Sequence, residues 1–459
     1  MRLARPFCLL DTGIFFRFSP LPILDNVGTR RFTEEILDKS SVNIRMVAIC
    51  FAAASVGLSM ALISVAKLVL FIAAIFSLAR LQGISLSKPQ IKASYVPVCV
   101  LMMLAALTAS LLWTTGPMSE ALNSLGKYGK LLVIVILMAI IRTRKEACYA
   151  VVSLLVSQII LVLGSWALFL GAALPWATSN MALTQYSVFS SYLDQGIMSA
   201  VAAAILWHLR ALLPGKPARM LTSLIAAVAM VNVLFVLQGR TGHLVAVALL
   251  SLAIMWELPR KMRLAVVMLP FVLVGFLYVA SERVSNRLNE VVAEVQAFSP
   301  KDAVTTSSGI RLSLWLRATQ MIAAEPLKGY GPGNWNTQYN NAQKAQNAQK
   351  QPVTTNFNTH QEYLQWGVQL GVPGILLFVG LMACIFRDGL SMSAPISRAT
   401  LSVLAAFAVA CLFNSSLYDA HIGDFFCVAF GLLLALGLQK NDRFSLNSVH
   451  AVGVDGATR

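Results

Sequence analysis

Long apolar runs follow one another along most of the chain, separated by short polar stretches, and each run is long enough to cross a bilayer as a helix. Residues 46–79 are almost one continuous run broken by Lys67. A tight helical hairpin is our interpretation there, with a single tilted helix as the alternative. In all, the pattern predicts about twelve membrane-spanning helices, at residues 46–61, 63–80, 95–113, 125–141, 147–170, 192–212, 219–237, 241–257, 264–280, 362–386, 396–414 and 421–438.

One long polar segment, residues 281–361, separates the ninth predicted span from the tenth. It opens with an amphipathic pattern, from Val284 to Val295, which we expect to continue helically from the ninth span. The stretch "SSGIRLSLWLRATQMIAAEP" predicts a second helix, capped by Ser307 or Ser308 and stopped by Pro326. Helices that lie over the outer ends of the membrane spans would form a lid above a cleft.

Two glycine- or glutamine-rich stretches complete this segment. We interpret "KGYGPGNW" as a rigid turn rather than a phosphate cradle, because no strand precedes it and Pro332 lies in its middle. The polar stretch "AQKAQNAQKQ" is typical of a mobile loop or an exposed helix.

Composition supports the membrane assignment. Hydrophobic residues make up 57% of the chain and charged ones 12%, which is outside the range of soluble globular domains. The seven cysteines fall in predicted spans or in the N-terminal tail, so neither a disulfide framework nor a cysteine-based metal site is indicated. Residues 1–45 carry no recognisable cleavable signal, and Met46 is an alternative start of translation to Met1.

The basic residues predict the orientation. The net charge is +16, but its basic residues are spread over loops rather than gathered on one face, which argues against a nucleic-acid partner. With the N-terminus inside, about two thirds of the 36 Lys and Arg residues fall in cytoplasmic segments, so the positive-inside rule predicts that both termini are cytoplasmic. The prediction is an all-α protein with a cytoplasmic tail (1–45), nine spans (46–280), an outer helical lid (281–361), three spans (362–438) and a second cytoplasmic tail (439–459).

Two arginines on the outer side predict an anion site. Arg240, in "LQGRTGHL", lies where the eighth span begins. Placing a guanidinium at that depth in the membrane costs free energy, so it indicates a function. The start of the helix adds unpaired N–H groups and the positive end of its dipole, which also favour an anion. Its alternative is an interfacial arginine that reaches lipid phosphate. Arg311 lies near the start of the second lid helix, where a planar guanidinium suits phosphate oxygens.

His360, in "THQEYLQWGVQLGVPG", is the candidate general base. We expect it at the outer membrane surface, on the first turn of the tenth span. An imidazole is suited to take a proton from a hydroxyl near neutral pH. Glu362 and Tyr363 would orient the ring or contact substrate, while His243 and His421 are rival bases. The alternative for each histidine is a structural one.

Other charged residues have weaker cases. Lys67, Lys127 and Lys130 lie in outer or membrane positions that the orientation alone does not explain. Residues 281–361 hold no pair of acidic residues spaced like a DxD metal-binding motif. Elsewhere, a cation could be held by Asp194, Asp419 and Asp424 only if folding brought them together. Asp419 could instead orient an arginine or the histidine.

Together, "QGRTGH", "GIRLSLWLRA…EPLKGYGPGNW" and "THQEYLQWGVQLGVPG" resemble the motifs of the O-antigen ligase family, whose relatives include O-antigen polymerases and protein O-oligosaccharyltransferases. The resemblance covers roughly residues 46–440, although Gln361 follows the histidine where the family commonly has Asn or Ser. It implies a C-type (GT-C) glycosyltransferase fold with a periplasmic lid, in the bacterial inner membrane.

The resemblance also implies a reaction. A glycan would pass from undecaprenyl pyrophosphate to a sugar hydroxyl of lipid A core, with inversion and without a metal or other cofactor. By motif, Arg240 and Arg311 would bind the pyrophosphate and His360 would activate the acceptor. Lys127 and Lys130 would add phosphate or core contacts. Polymerase and protein-glycosylating relatives share these residues, so the acceptor stays open.

A twelve-span transporter is the alternative from another class. Such a protein usually has a long linker in mid-chain and polar binding residues near the bilayer centre. Here the middle connection is short and the polar residues lie towards the outer side. The sequence therefore favours the enzyme.

Overall fold

The computed structural model describes residues 44–79, 94–177, 179–259, 261–263, 268–297, 306–345 and 358–439. Nearly all of the predicted N-terminal tail, 1–45, and of the C-terminal tail, 439–459, lies outside these ranges, as does part of the "AQKAQNAQKQ" stretch. Every regular element within the described ranges is helical. The predicted all-α class is therefore confirmed.

The helices are numbered in chain order. They are α1 (Ile44–Ser55), α2 (Met60–Ala79), α3 (Val96–Ala109), α4 (Met118–Tyr128), α5 (Leu131–Ile140), α6 (Arg144–Phe169), α7 (Asn180–Gln185), α8 (Tyr192–Leu209), α9 (Lys216–Val231), α10 (Arg240–Glu257), α11 (Leu269–Ala280), α12 (Glu282–Gln296), α13 (Ser307–Ala324), α14 (Trp335–Ala345), α15 (Glu362–Leu390), α16 (Ala394–Phe413) and α17 (Ala420–Gly437). Short 3₁₀ turns extend α3 and α8, and a π-helical turn, Asn232–Val236, follows α9.

Nine helical stretches of the described chain are long and apolar enough to cross a membrane, so the protein is a multi-pass membrane protein. The other three predicted spans are also helical but fall short. Helices α1 and α11 are only 10–17 residues long, and α10 begins at Arg240 and ends at Glu257, which lowers its hydropathy. The expected number of twelve spans is therefore not confirmed.

Several predicted boundaries were wrong. Residues 46–79 form two helices, as the preferred interpretation expected, but a turn ends the first at Ser55 rather than at residue 61, with Gly57 in the left-handed region at φ +90°. The span predicted at 125–141 starts earlier, at Met118, and is divided into α4 and α5. The first lid helix does not continue from α11, because Ser281 is extended (φ −135°, ψ 107°) and its side chain caps α12 by accepting a hydrogen bond from the Val284 N–H.

The bundle is built around α8, α16 and α17. Helix α8 packs against α9, α10 and α16, and α17 packs against α5, α6 and α16. Helices α8 and α10 cross closely at two glycines, since a Cβ added to Gly242 would lie 3.2 Å from the Cα of Gly196. This crossing fixes the start of α10, where Arg240 lies, against the centre of the bundle.

The glycine-rich turn at residues 328–335, between lid helices α13 and α14, is hydrogen-bonded through its backbone to α15. The N–H groups of Tyr330 and Gly331 donate to the carbonyls of Val368 and Gln369, both at 2.9 Å. Gly329 needs its glycine, since its φ is +61° and an added Cβ would lie 2.6 Å from the α15 backbone. The interpretation of "KGYGPGNW" as a rigid turn agrees with these contacts.

Candidate functional site

Arg240 lies at the junction of α10 with the lid. It is the first residue of α10, as expected, and its guanidinium points to the lid helices. One nitrogen, Nη1, donates to the Ser308 hydroxyl at 2.9 Å and lies 3.4 Å from Glu294 Oε2, while Nη2 lies 3.3 Å from Glu290 Oε2. Two carboxylates and one hydroxyl from α12 and α13 therefore hold this cation.

Glu294 is tied to Ser308 as well as to Arg240. Its carboxylate also accepts a hydrogen bond from the Ser308 backbone N–H at 2.9 Å. Burial acts to raise the pKa of Glu294, but the hydrogen bonds from Ser308 and the charge of Arg240 outweigh it and lower the pKa. Glu294 is therefore ionised at neutral pH.

Arg311 has a different environment. Its Nη2 donates to the Asn414 side-chain carbonyl at 3.4 Å, and within the described ranges it forms no ion pair with a carboxylate. Burial, and then the neighbouring positive charge of Arg240, lower the pKa of Arg311. Arg311 is thus a half-buried cation with a neutral partner.

A cavity of about 280 Å³ lies beside the two arginines. Arg240, Ser308 and Arg311 supply polar groups to its lining, but most of the wall is apolar and comes from α10, α11, α12 and α13. Apolar lining residues include Val247, Leu277, Leu288, Trp315 and Phe413. The cavity is therefore polar at the two arginines and apolar over most of its wall.

His360 is not among the residues that line this cavity and lies in the connection before α15. The prediction that it lies on the first turn of the helix was wrong: the helix begins at Glu362, with Gln361 as its N-cap. His360 instead adopts a left-handed conformation, φ +50°, which is uncommon for a side-chain-bearing residue and is held by a hydrogen bond from its N–H to Asn358 Oδ1 at 2.9 Å.

The imidazole of His360 is half-buried and forms no hydrogen bond with any described residue. Burial, and then the charge of Arg311, lower the pKa of His360 from its ordinary 6.5. The ring is therefore neutral at pH 7 and can accept a proton. The charge of Arg240 thus acts on Arg311, and the charge of Arg311 acts on His360.

The segment between α16 and α17, residues 414–419, connects the parts of this site. Asn414 accepts from Arg311 and donates to the Thr241 hydroxyl, next to Arg240, at 3.2 Å. At its other end, Asp419 Oδ1 accepts from the Asn358 amide at 3.2 Å. Sequence reasoning proposed Asp419 but missed Asn414 and Asn358, because amides that join distant segments leave no local pattern.

Glu362 and Tyr363 form no hydrogen bond with the His360 ring, so neither orients it by hydrogen bonding. Glu362 is fully buried; its Oε2 accepts from the N–H groups of Leu417 and Tyr418, both at 3.0 Å, and its Oε1 accepts from Tyr128 and Trp366, both at 3.1 Å. It fixes the start of α15 to the 414–419 segment.

Tyr363 points into the bundle instead. Its hydroxyl donates to the Ala408 carbonyl of α16 at 3.3 Å. Its ring packs edge-on against Phe378.

Lys130 and Lys127 both contact the segment at residues 414–419. Lys130 Nζ is buried and donates to the Asp419 carbonyl at 2.6 Å, and Lys127 Nζ lies 4.0 Å from the centre of the Tyr418 ring. Burial raises the pKa of Asp419 to about 6, although both lysine charges act in the opposite direction. Lys67, which the predicted orientation left unexplained, is paired with Asp424 at 2.8 Å.

The rival histidines and the aspartates are arranged differently. His243 lines the cavity, and its Nε2 lies 3.2 Å from the Leu237 carbonyl, whereas His421 is buried in α17. Asp194 lies in the first turn of α8, whereas Asp424 is paired with Lys67. Among the described residues, no group of three or more His, Cys, Asp or Glu side chains is arranged to hold a metal ion.

The structure thus defines a multi-pass helical membrane protein with two arginines beside a largely apolar cavity. Comparison with protein families is consistent with this class. The family model described as "Wzy_C: O-Antigen ligase" matches residues 225–379, and this match supports an assignment to the O-antigen ligase family. No curated protein matches the chain.

The matched region contains Arg240, Arg311 and His360 and extends from α9 to α15. The match supports an O-antigen ligase or polymerase type of function, that is, a glycosyltransferase-like enzyme of lipopolysaccharide biosynthesis. O-antigen ligases are inner-membrane proteins, and their substrates are in general a lipid-linked glycan and a lipid A acceptor.

Proposed function

We propose that this protein transfers O-antigen polysaccharide from undecaprenyl pyrophosphate to a sugar hydroxyl of lipid A core, at the periplasmic face of the inner membrane. The observation that carries the proposal is the pairing of Arg240 and Arg311 with an apolar cavity of about 280 Å³. A polyprenyl pyrophosphate has the two matching parts, since its phosphates would contact the guanidinium groups and its hydrocarbon the apolar wall.

Arg311 gives the stronger support for an anionic ligand. A half-buried guanidinium whose direct partner is neutral retains an unfavourable charge in the donor-free protein. Pyrophosphate oxygens would compensate that charge with short, charge-assisted hydrogen bonds. The same contacts would strengthen as the glycosidic bond breaks and negative charge collects on the leaving pyrophosphate.

His360 would act as the general base. The acceptor hydroxyl oxygen attacks the anomeric carbon of the donor sugar while the bond from that carbon to the pyrophosphate oxygen breaks. The hydroxyl proton passes to a ring nitrogen of His360, which is neutral and has no partner among the described residues. A single displacement of this kind inverts the anomeric centre.

The charge requirements of this reaction can be met by side chains. Pyrophosphate is a good leaving group, so it needs charge stabilisation rather than protonation, and two arginines can supply it. The donor is already activated, which suits a compartment without ATP. We therefore propose a metal-independent C-type glycosyltransferase, with the lid α12 to α14 on the periplasmic side and both termini in the cytoplasm.

The acceptor is tested by reconstitution. Purified protein in liposomes receives an undecaprenyl-pyrophosphate-linked glycan together with lipid A core, a second lipid-linked glycan, or a pilin-like protein. We expect lipid A core to gain the mass of the glycan. Glycan transfer to the second lipid-linked glycan would indicate a polymerase instead, and transfer to the pilin a protein O-oligosaccharyltransferase. No transfer, together with movement of the lipid-linked glycan across the bilayer, would indicate a transporter.

A further inference from the structure

Two acidic side chains, Glu290 and Glu294, lie where the proposed function needs an anion. They are one helical turn apart on α12 and contact the two terminal nitrogens of Arg240. Carboxylates are poor neighbours for a pyrophosphate, because their charges repel it. Their presence at this site needs an explanation that the proposed reaction alone does not give.

The two arginines differ in this respect. Arg240 has two carboxylates and the Ser308 hydroxyl within contact distance, whereas Arg311 has the neutral Asn414. The acidic residues are on the lid helix α12, while Arg240 is on α10 in the bundle. The ion pairs therefore join the lid to the bundle through the cation that the donor would use.

We propose that Glu290 and Glu294 are positioning residues that hold Arg240 in the donor-free protein and are displaced from it by the pyrophosphate. The inference rests on the proposed function. Pyrophosphate offers more negative charge and more acceptor oxygens than the two carboxylates, so it would exchange for them on the guanidinium. After transfer, the carboxylates would compete again for Arg240 and promote release of the undecaprenyl pyrophosphate product.

The two glutamates would contribute unequally. Glu290 is 42% exposed, so its ion pair is screened by solvent and its loss should leave the fold intact. Glu294 is 11% exposed and also accepts the Ser308 N–H at the start of α13, so it helps to hold the two lid helices together. Glu290 is therefore the better residue for a binding test, and Glu294 the better one for detecting a structural contribution.

The test measures the Kd of undecaprenyl pyrophosphate for the full-length protein in detergent, with Glu290→Gln and Glu294→Gln as variants. Glu282→Gln is the matched control, because Glu282 is an exposed residue of the same helix and the substitution removes the same charge. If the glutamates compete with the ligand, Glu290→Gln should bind about two- to five-fold more tightly, the effect of removing one partly exposed ion pair. The control should bind as the wild type does.

Other results separate the inference from the function on which it rests. Equal or weaker binding by a folded Glu290→Gln variant, while Arg240→Ala still weakens binding, would overturn the exchange and leave the proposed function standing. No binding of undecaprenyl pyrophosphate by the wild type would overturn both. A melting temperature is measured for each variant, and weaker binding by Glu294→Gln accompanied by a lower melting temperature would assign Glu294 to holding the lid helices rather than to exchange.

Discussion

Replacing Arg311 by alanine should weaken donor binding without destabilising the donor-free protein. The guanidinium is half-buried and donates one long hydrogen bond, 3.4 Å, to Asn414, so the folded protein gains little from it. Burial and the Arg240 charge both act against its ionised form. A residue that is unfavourable for the empty protein and favourable for the complex is what an anion site requires.

The magnitude follows from the contacts. Hydrogen bonds to charged groups contribute about 1.5–3 kcal/mol, and each 1.4 kcal/mol is about tenfold in affinity, so the donor Kd should rise roughly 10- to 150-fold. The hydrogen bond to Asn414 is long, 3.4 Å, and burial and the Arg240 charge oppose the ionised guanidinium, so its loss should change the free energy of unfolding by no more than about 1 kcal/mol. Binding and folding should therefore respond very differently to the same substitution.

Donor binding is measured with undecaprenyl pyrophosphate, and stability by thermal unfolding in detergent. Arg317→Ala is the control, because Arg317 lies on the same helix, is absent from the cavity lining, and its Nη1 donates to Gln320 at 3.1 Å in a solvent-exposed hydrogen bond. It removes the same charge and should leave Kd within about twofold, the effect of a solvent-screened charge. An unchanged Kd in Arg311→Ala, or a fall in affinity matched by an equal loss in Arg317→Ala, would refute the reasoning.

Two further predictions concern the histidine and its support. Transfer should be lost as the pH falls through the pKa of His360, because protonation removes the base. The Arg311 charge lowers this pKa in the free enzyme, and bound pyrophosphate offsets that charge. The acid limb of the kcat profile should therefore lie at higher pH than that of the kcat/KM profile. Asp419 has a pKa of about 6, so the limb is measured also in Asp419→Asn, and its disappearance there would assign it to Asp419. Glu362→Gln should lower the free energy of unfolding by about 2–4 kcal/mol, because an amide cannot accept from all four donors that Glu362 satisfies. A melting temperature of this variant equal to that of the wild type would contradict this.

The sequence predicted correctly which segments form helices, but it predicted the helix ends and breaks poorly. Apolar runs determine where helices form, but the breaks at Ser281 and between Tyr128 and Leu131 interrupt runs whose periodicity continues across them. Of the three spans that fell short, α10 has a charged residue at each end, and α1 and α11 are at most 17 residues long within the described ranges.

The candidate site was predictable only in part, for a similar reason. Arg240 and Arg311 are conspicuous because charge is costly beside a bilayer. His360 was placed one turn too far into its helix, since nothing in "NTHQE" signals the left-handed conformation that Asn358 stabilises. Glu294 and Asn414 were missed because their partners are distant in sequence and became evident only from the folded chain.

The central claim is that His360 performs the chemistry next to a donor held by the arginines. The most direct test is glycan transfer from an undecaprenyl-pyrophosphate-linked donor by His360→Ala, with donor binding measured on the same preparation. We predict that transfer falls by at least about 10²-fold, the contribution of a general base, while the donor Kd changes little. Transfer at the wild-type rate by this variant would contradict the account.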